Sequence, residues 1–233
     1  MRPPRALWVP FALGRPLGAA GDADFQKAVL RSTFDLLDSA TEPTIADYPV
    51  EAPEEAGPGV WACPLSLPVT TDPSYTGRLL GEVARLRPWA LETRTNRGRT
   101  LFGVTGADAD QIDEVARALG GIADSGDLNA IEDGAVEWAF AMPLLIRHLA
   151  DDLRTFYHEA IASQPGSMAP NHDALNEWIF GATALGDVLQ TVADHLTNAD
   201  TFATKLIRGF LIPEGHYDGG SAFPASTAFG AAD

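Results

Sequence analysis

Six prolines, at positions 43, 49, 53, 58, 64 and 68, fall between Thr41 and Thr71. Proline fixes φ and withholds a backbone donor, so neither a helix nor an interior strand can run through such a stretch. The chain is thereby divided into a short leading piece and a long trailing one, joined by an extended segment. Short strands are expected near Thr44 to Ala46 and Val60 to Ala62. A connection this long in a compact domain tends to be functional or to lie at an interface.

Ahead of the prolines, Ala6 to Phe11 reads as a strand. It enters a loop holding Gly14, Gly18 and Gly21. Asp22 is placed to cap a helix, because Phe25, Val29, Leu30, Thr33, Leu36 and Leu37 recur at the spacing of one helical face. Beyond the prolines, Tyr75, Leu79, Leu80, Val83 and Leu86 predict a helix over Ser74 to Leu86, closed by Pro88. Arg97 to Gly106 has a strand-like centre and leads into a helix at Asp108 to Leu119, which would make a second strand-to-helix unit. Glu132 to Ser163 is predicted helical with a kink or break at Pro143, Asp173 to Leu196 as one further helix, and Thr201 to Phe210 as a shorter one. The fold class is therefore α/β, with a small strand-helix N-terminal part followed by a mainly α-helical C-terminal part. The expected regions are 1–125 (α/β), 126–213 (helical) and 214–233 (a flexible tail).

With 233 residues, 45% of them hydrophobic, the chain can bury a substantial core. A formal charge of −16 excludes a nucleic-acid backbone or an anionic membrane as partner, since both repel it. No run approaches the roughly 20 apolar residues of a membrane span. Two arginines, Arg2 and Arg5, precede the apolar Ala6 to Leu13. Pro10 and the following Gly14-Arg15-Pro16 deny that stretch the character of a secretory signal, so a cytoplasmic location is expected.

The single cysteine, Cys63, rules out an internal disulfide and cysteine-based metal cages. It has no neighbouring base or cation to lower its pKa, and an inert thiol is expected. His158-Glu159 begins a zinc-binding HExxH pattern, but Ala162 stands where the second histidine belongs; no metal is expected. The glycine turn matches neither dinucleotide nor P-loop patterns. It serves either as a structural turn or as an anion contact, in which case Arg15 is the residue to matter. Glu177-Trp178, with Phe180, Thr183 and Gly186, would either line a pocket or support a close helix contact.

The stretch from Arg5 through Gly14-Arg15-Pro16-Leu17-Gly18, then Asp22, Phe25-Gln26 and Val29-Leu30, resembles a segment of the selenoprotein B component of the glycine/sarcosine/betaine reductases and their D-proline reductase-like relatives. The likeness spans about the first 50 residues, and Arg97 to Gly106 looks like a further segment of shorter bacterial members. The resemblance implies reductive cleavage of a carbon–heteroatom bond by a cysteine or selenocysteine lying upstream of the matching segment. Cys63 is not at that position, so a partner chain would have to supply the redox centre. Gly14, Arg15, Gly18, Asp22 and Gln26 carry over as pattern positions without an assigned role.

Two functional expectations follow. One is a subunit of a reductase-like system acting on a small amine- or heteroatom-containing molecule, with the thiol or selenol on a protein partner. The other is a stand-alone small-molecule binding or non-redox biosynthetic protein. The substrate-binding candidates are Arg15, Gly18, Asp22 and Gln26 near the glycine turn, together with Arg99, Thr100 and Trp178 further on. No cofactor is assigned.

Overall fold

The computed structural model describes residues 4–11, 15–18, 21–52, 61–131, 134, 136–165, 170–213 and 215–218. Two compact units divide the chain, 1–57 and 58–233. The helical part thus begins well before residue 126, because the helices that follow residue 74 pack with those beyond 140. The expected tail from 219 onward, and Gly14 and Val60, lie outside the described residues.

The first unit is a strand, turn, helix and strand: β1 (Arg5–Trp8), α1 (Ala23–Ser39) and β2 (Thr44–Asp47). The strands pair in parallel, Arg5 opposite Thr44 through Trp8 opposite Asp47. A parallel pair requires a crossover, and α1 supplies it. Asp22 caps α1, its Oδ1 accepting the Phe25 N–H at 3.0 Å. Gly18 has φ +85°, and a Cβ there would lie 2.7 Å from the Phe25 ring. Phe25 packs with Phe11 and Tyr48 at ring separations of 5.5 and 6.2 Å, which gives this small unit its apolar centre. The strand β1 is shorter than expected and is paired by β2; Trp61 and Ala62 form no strand.

The second unit contains α2 (Tyr75–Arg97), α3 (Ile112–Ser125), α4 (Leu144–Ala162), α5 (His172–Ala182), α6 (Ala184–Asn198) and α7 (Phe202–Arg208). The helix α2 packs on α3, α4 and α6, and α3 packs on α4 and α6. Leu79, Val83, Leu86, Leu119, Leu149 and Leu189, each fully buried, belong to the single core these helices share.

Four expectations are corrected here, each for a local reason. Pro88 does not end α2. Leu86, Ala90 and Thr93 continue the buried face past it, and tertiary burial outweighs the hydrogen bond that proline forfeits. The helix stops instead at Gly98, φ +63°, whose N–H bonds the Arg94 carbonyl.

Arg97 to Gly106 is not a strand, so there is no second strand-to-helix unit. The fully buried Asp152 of α4 takes the backbone donors a ladder would have used: Gly103 and Val104 donate to its Oδ1 at 2.8 and 3.1 Å, Thr105 to Oδ2 at 3.1 Å. The Thr105 hydroxyl adds a bond of 2.6 Å, and Gly103 and Gly106 take φ of +111° and +94°.

Of the kink or break expected at Pro143 the break is found, but the described residues before it are not helical, and Pro143 stands at the start of α4, as suits a residue with no N–H to offer. The expected helix over Asp173 to Leu196 is two helices broken at Thr183, which is extended (φ −122°, ψ 154°). The Thr183 hydroxyl donates to Ile179 O at 2.6 Å and accepts the Gly186 N–H at 3.1 Å, so it closes one helix and caps the next. A Cβ on Gly186 would come within 2.3 Å of the Ile179 carbonyl oxygen, so the corner demands glycine.

Candidate functional site

In α2, Glu82 sits one turn from Leu79 and Leu86 and is carried into the bundle with them, leaving the residue 6% exposed. Its two oxygens are held by two other helices. Oε2 accepts the Tyr157 hydroxyl at 2.6 Å, and Oε1 accepts the Ala184 N–H at 2.8 Å, at the N-terminus of α6. Burial pushes the Glu82 carboxyl above its ordinary range, against the opposing pull of the Tyr157 and backbone donors and of Arg78. Tyr157 is fully buried, and burial together with the neighbouring Glu82 pushes its hydroxyl well above its usual pKa.

A cleft of about 520 Å³ opens beside Glu82. Arg78, one turn earlier on α2, and Asp187 on α6 form an ion pair on its wall. Thr183 lines it from the corner between α5 and α6, and Leu67, Pro68 and Val69 supply an apolar side. The glycines of α2 let that extended segment lie close. A Cβ on Gly81 would be 2.2 Å from Thr70 Cγ2, and one on Gly77 would be 2.2 Å from Asp72 Cγ.

A second hollow, about 450 Å³, shares Leu67 and Ala182 with this cleft and is lined by Trp61, Cys63 and Trp178. Trp178 lies edge-on to Trp61 at 6.1 Å and against the Tyr157 ring at 6.0 Å. Trp178 is thus one ring away from the tyrosine that holds Glu82. Cys63 is half-buried, and desolvation raises its thiol pKa, so it is not poised as a thiolate.

The other sequence candidates are divided between the two units. In the first, Gly18 donates its N–H to the Arg15 carbonyl at 3.0 Å, Asp22 spends an oxygen on its helix cap, and Gln26 lies one turn on along α1. In the second, Arg99 is exposed just past the end of α2. Thr100 donates to Glu159 Oε1 at 2.5 Å. Glu159 also takes Arg94 Nε at 2.6 Å, and Arg94 lies over the Phe102 ring at 5.1 Å, so this network fastens the loop after α2 to α4. Among the described residues, no group of three or more His, Cys, Asp or Glu side chains is arranged to hold a metal ion.

Sequence reasoning passed over Arg78, Glu82, Tyr157 and Asp187. The one available signal was a carboxylate embedded in an apolar helical stripe, at position 82 between Leu79 and Leu86. No protein-family model matches the chain, and no curated protein or solved structure does either. No helix among the described residues is long and apolar enough to cross a membrane.

Proposed function

We propose that the helical unit binds a small amine in the cleft beside Glu82. The observation that carries this reading is a buried carboxyl with a raised pKa at the wall of a cleft large enough for a ligand, a combination characteristic of binding and catalytic sites. The charge balance selects the ligand. Glu82 and Asp187 bring two carboxyl groups against the single guanidinium of Arg78, and the whole chain carries −16, so a cation is drawn in and an anion repelled. An ammonium beside Glu82 favours its ionised form, while Leu67, Pro68 and Val69 accommodate a short aliphatic body.

Isothermal titration with n-butylamine and sarcosine, against n-butyrate as the anionic control, tests the reading. Saturable binding of an amine that is lost in Glu82→Gln and weakened in Asp187→Asn supports it. Asp187 is half exposed, so its variant keeps the fold. Absence of amine binding, or equal binding in both variants, rejects it.

A second reading is a subunit of a reductase-like system whose thiol or selenol is on a partner chain. The residues resembling selenoprotein B-like reductases occupy β1, the glycine turn and α1. Parallel sheets are ordinarily covered on both faces, whereas Trp8 and Ile45 of this two-stranded sheet are 56% and 63% exposed. The raised pKa of Cys63 also favours a redox centre supplied from elsewhere. Co-purification of a cysteine- or selenocysteine-bearing chain, released by Trp8→Ser, supports this reading; a protein that elutes alone at native concentration opposes it.

A further inference from the structure

The helix α1 spends only one side on its neighbour β1. Val29 is the only buried residue of this helix, and Phe25, Ser32 and Leu36 sit half-buried on the same side. Leu30, Phe34 and Leu37 recur at i, i+4 and i+7, so they form a separate stripe along the helix. They are 39%, 61% and 60% exposed. Single apolar residues on a surface are ordinary, whereas three in line along one helix make a seam by which helices associate.

The charges beside the stripe decide what fits it. Arg31 lies toward the N-terminal end of one flank, after Lys27, and Asp38 lies on the same flank toward the C-terminal end, all of them exposed. A second α1 laid alongside in the opposite direction brings like flanks together. Arg31 of each helix then faces Asp38 of the other, twice over by symmetry. A copy running the same way would meet that flank with the opposite one, which holds Gln26 and Thr33, and leave both charges without a counterpart across the seam.

We propose that α1 pairs antiparallel with the α1 of a second copy of this chain, through Leu30, Phe34 and Leu37, with Arg31 of each copy against Asp38 of the other. Phe34, central and largest, is the anchor. The apolar seam supplies the attraction, and the charges set its direction. A seam of three residues makes a weak and reversible dimer. The net charge of −16 on each copy opposes it at low ionic strength, while salt at about 150 mM screens repulsion beyond about 8 Å and spares pairs in contact. The surface is independent of the Glu82 cleft, which belongs to the other unit.

Sedimentation equilibrium of the full chain at about 150 mM salt tests the pairing. The expected result is a mass that rises from one chain toward two across the micromolar range. Phe34→Asp should hold the protein at one chain, and since Phe34 is exposed the variant keeps the fold, which circular dichroism verifies. Arg31→Asp and Asp38→Arg should each weaken the dimer about tenfold, because each sets like charges against one another at two places. Made together they exchange the signs, and the doubly reversed protein should associate as the wild type does. The proposal is overturned by a wild-type chain that stays single throughout, which would leave the stripe to a different protein. It is equally overturned by a Phe34→Asp variant that still associates, or by a doubly reversed variant no better than the single ones.

Discussion

Single residues decide both the stability of the helical unit and the chemistry of its cleft. Asp152 is the clearest case, a fully buried carboxylate that satisfies three backbone N–H groups and a hydroxyl. Asparagine offers one acceptor oxygen and turns an NH₂ toward donors, so Asp152→Asn should lower unfolding free energy by about 3 kcal/mol in urea titration. Glu82 makes the stability of the bundle depend on pH. Its pKa is raised on folding, so the folded state holds its proton more tightly than the unfolded state. Its contribution to stability is full below the ordinary carboxyl range and is lost as pH rises through the raised value. The stability of Glu82→Gln relative to wild type should therefore climb as pH increases through that window; a constant difference between the two would contradict the burial argument. Neither residue announces itself in the sequence. Asp152 was legible only as a polar position on an amphipathic helix, and what it binds is a loop some fifty positions earlier, which periodicity cannot reveal.

Elements follow the same division between local and distant causes. The strand, glycine turn and capped helix of the first unit were legible because Asp22, Gly18 and the spacing of Phe25 and Val29 act within a few residues of one another. The proline-rich connection was legible for the same reason. Helix ends beyond residue 74 were misplaced where packing overrides local chemistry. Pro88 is exposed on a helix whose opposite face is buried, so the bundle holds α2 together across it. Thr183 breaks the last long helix because Glu82, a hundred residues away, caps its second half. The close approach of α2 and α3 depends on Gly120, where a Cβ would meet the Thr76 Cα at 2.8 Å and its nitrogen at 3.1 Å. Gly120→Ala gains helix propensity yet should destabilise the protein by about 2 kcal/mol, because backbone rather than a mobile side chain must move. Thermal or chemical denaturation checks the sign; a more stable variant would mean the two helices are not held at this separation.

At the scale of the whole molecule, two units with separate apolar centres share one strongly acidic chain. Self-repulsion at −16 opposes compaction, and salt screens it. Raising sodium chloride from about 10 mM to about 500 mM at neutral pH should increase Tm by several degrees, and a fall in Tm would show that attractive ion pairs dominate instead. The same acidity connects the fold to its proposed role, since it favours a cation over an anion at the Glu82 cleft. The cleft at Glu82 was invisible in the sequence because Arg78, Glu82, Tyr157, Thr183 and Asp187 come from four segments that only the bundle brings together. Two residues singled out from the sequence are nevertheless found there, Thr183 on the wall of the cleft and Trp178 in the neighbouring hollow. The decisive measurement is the titration of the Glu82 side-chain carboxyl by carbon-detected NMR, with and without n-butylamine. A carboxyl that titrates above the ordinary range in the free protein and shifts down when the amine saturates the protein is the predicted result. A Glu82 pKa that is ordinary, or that the amine does not move, would contradict it.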